Sequence, residues 1–221
     1  MRSALSEAQE PAHRAAMTTA RPLLISTMLR RALGRRLGPA AAHRIASDAD
    51  GRYLPPPPLA RTRAGQFNVR LAAYLLALRD ALTASGRSAV EAEELLAEAL
   101  ARTDRRLNRP LDAAVRLLHP TDWGARIGLR EKISRRLSFP PPDWVMVDVP
   151  CADGYAYDVQ RCVFADYLRE RGEGAFCQQV LCAQDFRMAQ AHGEVLQRTG
   201  TLAGGANRCD FRYEAIGRTH G

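Results

Sequence analysis

The spacing of the apolar residues changes once along this chain, and that change constrains the fold more than any other feature. Ahead of the proline run at residues 139–142, large apolar side chains recur every three or four positions; behind it, residues 144–149 read WVMVDV, alternating and β-branched. A three-to-four spacing lays one face of a helix on a core, whereas alternation lays one face of a sheet on it. The chain is therefore expected to be α+β, an N-terminal helical part packed with a small antiparallel sheet and C-terminal helices.

Within the helical part, Pro22 stands where a first-turn proline belongs, and Leu23, Leu24, Met28, Leu29 and Leu33 follow at helical spacing to a stop at Gly38-Pro39. Residues 48–58, DADG and then four prolines, predict a loop. Residues 65–85 predict an amphipathic helix built on Phe67, Leu71, Tyr74, Leu75, Leu78 and Leu82 and closed by Gly86. Ser88 with Glu91 three residues on is a capping box that opens a third helix, and residues 110–118 predict a further short one before His119-Pro120. Residues 1–20 are polar and expected to be a disordered extension, with Met17 a candidate start. The remainder, 21–221, is expected to be a single domain, with a helical scaffold over 21–138 and the sheet and active-site part over 139–221.

The formal net charge is +8, and Lys132 is the only lysine among many arginines. That bias, with abundant Ala and Leu, fits a high-GC bacterial coding sequence. The basic clusters at 28–37 and 102–109 lack aromatic interleaving or a nucleic-acid motif, so no nucleic-acid partner is expected, and attraction of an anionic small substrate is the more economical use of the charge. No uncharged apolar run of about 18 residues occurs, so no membrane partner is expected. The five cysteines, Cys151, Cys162, Cys177, Cys182 and Cys209, are odd in number and no export signal precedes them, which predicts reduced thiols in a cytoplasmic protein. His13, His43 and His119 occur singly and are assigned no chemistry.

The reactive side chains concentrate in residues 180–213. Strands are expected over 144–149 and 155–159, helices from Cys162 to Gly172 and from Ala175 to about Ala189, and a hairpin of strands 194–202 and 207–213 turning at Gly204-Gly205. Cys182 and Asp185 lie three apart on one helix face, a spacing that can place a nucleophile beside an acid or base. In the last strand, alternation puts Cys209, Phe211 and Tyr213 on one face and Arg208, Asp210 and Arg212 on the other. Arg198, with Thr199 and Thr201 beside it, is suited to hold a substrate carboxylate by a two-pronged hydrogen bond. Cys162, Cys182 and Cys209 with a histidine or Asp185 could supply four zinc ligands, but their spacing meets the usual close pairs only imperfectly, and no metal or cofactor is expected.

In succession, Tyr155 to Val159, Cys162, Leu181-Cys182, Asp185-Phe186, Arg198-Thr199, Thr201-Leu202, Gly204-Gly205 and Cys209-Asp210-Phe211-Arg212 resemble the L-2-amino-thiazoline-4-carboxylic acid hydrolases over about the last third of the chain. The resemblance implies a hydrolase that opens a small cyclic carboxylated substrate by water, giving a carbamoyl derivative of cysteine, or that performs a related reaction in specialised metabolism. The expected catalytic residues are Cys182, Asp185 and Cys209, and the expected substrate-binding residues are Arg198, Thr199, Thr201, Cys162 and Asp210. Either thiol could be the nucleophile, or Asp185 could activate water directly. The competing expectation is a non-catalytic small-molecule or metal-binding module that uses the same cysteine-rich pocket.

Overall fold

The computed structural model describes residues 22–151 and 154–215. The expected N-terminal extension and the candidate start at Met17 lie outside them. Helix α1, Leu23–Leu37, ends at Gly38, whose φ of 81° suits a glycine, and the backbone N–H of Gly38 donates to Gly34 O at 3.0 Å. The same glycine opens α2, Pro39–Arg52. The loop expected from residue 48 therefore begins only after Arg52: a proline in the first turn forfeits no hydrogen bond, and the buried stripe Ala42, Ile45, Ala46 and Ala49 carries the helix through the DADG stretch.

Helix α3, Arg63–Ala84, is the central element, with Val69, Ala72, Leu75, Leu78 and Leu82 almost fully buried. Its N-cap is Thr62, whose side chain accepts the Gly65 N–H at 2.9 Å. Helix α4, Ala89–Leu118, starts at the expected capping box, in which Ser88 Oγ accepts the Glu91 N–H and the Glu91 carboxylate accepts the Ser88 N–H. It then runs unbroken through Pro110, so residues 110–118 are its last turns and not a separate helix. Proline there removes one of the many i→i−4 bonds of a 30-residue helix, and the turn is exposed, where water serves the freed carbonyl. Helix α5, Trp123–Leu137, capped by the Asp122 side chain on the Ala125 N–H, was not foreseen, because its apolar residues are few and Ile127 is the only buried one.

The sheet is antiparallel with strand order β1-β2-β4-β3: β1 is Trp144–Val149, β2 Tyr155–Cys162, β3 Glu194–Gln197 and β4 Cys209–Ala215. Between β2 and β3 run α6, Val163–Arg169, and a longer helix in three sections: α7, Gly174–Phe176, a π-helical section, Cys177–Cys182, and α8, Ala183–His192. Strands β3 and β4 form the expected hairpin, but β3 stops at Gln197. Residues 198–208 are a long connection holding the 3-10 turn Leu202–Gly204 and Gly205 at φ 93°. The architecture is α+β, and one cluster of buried side chains runs from Ile25 in α1 to Tyr213 in β4.

The proline run and the sheet are pinned to the helices by Asp143, which is fully buried. Its carboxylate accepts the backbone N–H groups of Arg61 and Thr62, both at 2.8 Å, and the Thr62 hydroxyl. Among the described residues, no helix is long and apolar enough to cross a membrane.

Candidate functional site

Helix α4 packs against the π-helical section and α8, and Gln184 fixes that contact by donating to Ala97 O at 3.0 Å. On an α-helix, residues five apart point roughly 140° away from each other. The wider i→i+5 turn of residues 177–182 instead brings the buried Cys177 thiol close enough to Cys182 for the two to influence each other's acidity. The neighbouring Cys177 thiol, the largest influence, holds the Cys182 thiol below its usual range, against burial and the Asp185 charge, with Arg198 assisting; Cys177 is raised in return. Cys162 and Cys209 complete a cluster of four cysteines near enough to sense one another's charge. All are free thiols.

These thiols are not equivalent. Burial pushes Cys162 up to about 12, against the lowering influence of the Ala165 and Phe164 backbone N–H groups, and it stands at the N-cap of α6 without a side-chain capping bond. Burial also pushes Cys209 up to about 11, while its sulfur accepts the Leu202 N–H at 3.2 Å. Cys182 alone of the cluster is shifted toward the thiolate, and it is only half-buried.

Two carboxyls in this region have their acidity suppressed, Asp185 next to Cys182 and Asp104 next to Asp185. Burial raises Asp185 to about 6 despite the opposing Arg198 charge, and burial together with the Asp185 charge raises Asp104, on the facing turn of α4, to about 7. The Asp185 side chain nevertheless keeps 36% of its surface open to solvent. Arg198 Nη1 donates to Asp185 at 2.6 Å and Nη2 to the Cys182 carbonyl at 3.0 Å, with the guanidinium resting over the rings of Phe186 and Phe211. Its side chain is 4% exposed. The fork expected to meet a substrate carboxylate thus already holds one, because the π turn carries the Cys182 carbonyl and Asp185 to the point where β3 ends.

The remaining expected substrate contacts are tied to one another. Asp210 accepts the Thr199 N–H, the Thr199 hydroxyl and the Gly200 N–H, while Thr201 Oγ1 accepts the Gly204 N–H at 3.0 Å. Together they shape the 198–208 connection that lays Leu202 on Cys209. The sheet closes the site from beneath with Tyr157, Phe211 and Tyr213, the first two stacked at 4.7 Å. Tyr157 Oη also donates to Glu131 of α5 at 3.3 Å, and burial raises the Glu131 carboxyl.

The structure thus brings Cys162, Cys182, Asp185, Arg198 and Cys209 into one region and sets Thr199, Thr201 and Asp210 behind it. Sequence reasoning missed Cys177 and Asp104. The five-residue spacing of Cys177 and Cys182 would have been a signal only to a reader expecting a π turn, and nothing local distinguishes Asp104 on its charged helix. Among the described residues, no group of three or more His, Cys, Asp and Glu is arranged to hold a metal ion. Elsewhere among the described residues lie a cleft of about 550 Å³ against α5 and the β1–β2 ends, reaching the exposed Cys151, and one of about 180 Å³ beside His192. Neither is lined by a cysteine of the cluster, so the site is located by its chemistry.

Residues 67–213 match the family profile described as L-2-amino-thiazoline-4-carboxylic acid hydrolase. A comparison with curated proteins returned no match. Among solved structures, the chain is similar to the Fe(II) unliganded H-NOX protein from K. algicida, at 10% identity and a TM-score of 0.45 over 90% of this chain and 98% of that one.

Proposed function

The chain belongs to the L-2-amino-thiazoline-4-carboxylic acid hydrolase family, and from that premise we propose that it hydrolyses a small cyclic, amidine-like carboxylated substrate with Cys182 as the nucleophile. What supports this reading is the π turn that sets Cys177 against the half-buried Cys182 and favours the Cys182 thiolate, with the protonatable Asp185 next to it and Asp104 next to Asp185. Cys182 sulfur bonds to the amidine carbon, and the ring bond from that carbon to the departing heteroatom breaks. The heteroatom takes its proton from the carboxyl pair. Water then adds to the same carbon and returns a proton to the carboxylate as the carbon–sulfur bond to Cys182 breaks. One water is consumed, and the thiolate and the carboxyl proton are restored. In this scheme Arg198 is a positioning residue that orients Asp185 and the Cys182 backbone, while Thr199, Thr201 and Asp210 hold the connection that covers the site. Cys162 and Cys209 pack around the nucleophile.

The test is turnover of L-2-amino-thiazoline-4-carboxylate, followed by the carbamoyl product, in single variants. Cys182→Ser is expected to lose roughly three orders of magnitude or more, and Asp185→Asn and Asp104→Asn roughly 10²–10⁴-fold, with Cys209→Ser retaining activity. Full activity in Cys182→Ser would remove the nucleophile from the scheme. If the two carboxyl variants alone were inactive, water activated directly by Asp104 and Asp185 would take its place.

A further inference from the structure

Helix α8 carries a second group of polar side chains beyond the one the proposed reaction uses. His192 follows Asp185 by seven residues, which returns it to the same helix face about 10 Å further along the axis. There a cavity of about 180 Å³, space for roughly six waters, is lined by Asp112 and Arg116 of α4, Trp123, Arg126 and Arg130 of α5, and His192. Three buried polar atoms of this lining have no hydrogen-bond partner: Trp123 Nε1, His192 Nδ1 and Asp112 Oδ1. His192 Nε2 does lie 3.1 Å from Asp112 Oδ1, a charge contact without hydrogen-bond alignment, and the histidine side chain is only 9% exposed. Buried polar groups are normally satisfied, so the two unpartnered nitrogens, Trp123 Nε1 and His192 Nδ1, mark a place for a ligand that supplies acceptors, while Asp112 Oδ1 faces His192 Nε2.

The charges identify its kind. Arg130 is spent on Glu194, to which it donates at 2.9 and 2.8 Å, which among the described residues leaves Arg116 and Arg126 as the uncommitted positive charge of the lining, Arg126 reaching Pro120 O at 3.4 Å. The indole N–H is a donor with no other use, and Val115 with the indole ring offers an apolar wall. We propose that this cavity is a second ligand site, which takes a small monocarboxylate. One carboxylate oxygen accepts from Trp123 Nε1–H and the other from His192 Nδ1–H, while Arg116 and Arg126 supply the countercharge. His192 faces Asp112 through Nε2 and the ligand through Nδ1. Asp112 and Glu194 in the same wall oppose a second negative charge, which selects a monoanion over a phosphate dianion.

The experiment follows the two tryptophan indole N–H signals of the full chain by ¹⁵N–¹H spectroscopy during titration with acetate, then with inorganic phosphate and with sodium chloride, with Trp123→Phe assigning the pair. Acetate is expected to move the Trp123 signal saturably and leave Trp144 in place, and His192→Ala to weaken the binding at least tenfold. Arg116→Ala, at an exposed position that does not endanger folding, is expected to weaken it severalfold. No saturable movement of Trp123, unchanged affinity in both variants, or equal or tighter binding of phosphate or chloride would overturn the proposal. No turnover is measured, so the outcome is independent of whether Cys182 is the nucleophile.

Discussion

Asp104 and Asp185 bear on stability as well as on catalysis. Both have an ordinary value of 3.8, and the fold raises them to about 7 and about 6, with burial the first cause in each case. Between pH 4 and 7 the folded chain therefore binds more protons at these sites than the unfolded chain does. Their contribution to stability is fully present below pH 4 and is lost as pH rises through their folded values. Urea midpoints measured from pH 4.5 to 7.5 should accordingly carry a falling component that Asp104→Asn removes; an identical slope in wild type and variant would show that Asp104 is not held protonated. At the same scale, Arg198 shows what a sequence leaves open. Its value as a carboxylate fork was legible, but the carboxylate it grips belongs to Asp185, two elements away. Choosing between an internal and an external partner requires the packing of β3 against α8.

At the scale of the elements, the helix starts are local and the close approaches are not. Gly65 sits in the first turn of α3, where replacement by alanine would ordinarily gain about 1 kcal/mol of helix propensity. Here a Cβ at residue 65 would collide with the Asp143 carboxylate and lie 2.9 Å from Ala60 Cβ. Gly65→Ala is therefore expected to destabilise by about 1–3 kcal/mol, read as a lower midpoint in denaturant, and a raised midpoint would contradict the packing described. The capping box of α4 was readable because Ser88 and Glu91 bond to each other's backbone within one turn. The π section at residues 177–182 was not, since no residue type demands an extra residue in a turn. It follows from fitting Phe176, Cys177 and Val180 into the core while α4 holds Gln184.

Across the whole molecule, the helical and sheet parts meet at Asp143, more than 80 positions from its partners Arg61 and Thr62. Removing the carboxylate strands two backbone N–H groups in a site without solvent, so Asp143→Ala is expected to cost on the order of 3 kcal/mol. Burial raises the Asp143 carboxyl, but the hydrogen bonds from Arg61 and Thr62 outweigh it and the net shift is downward. Its stabilisation is thus present above pH 3.8 and lost as pH falls through the lower folded value, which Asp143→Asn should blunt in an acid titration of the fold. The sequence by itself determined the fold class, the capping box of α4, the inward alternation of Cys209, Phe211 and Tyr213, and the residues that carry the family pattern, because each rests on spacing within a few positions of the chain. Tertiary structure alone decided which thiol is eased toward its thiolate, which carboxyls keep their protons, and which polar atoms around His192 are left without partners. Those properties depend on burial and on charges brought together from distant elements.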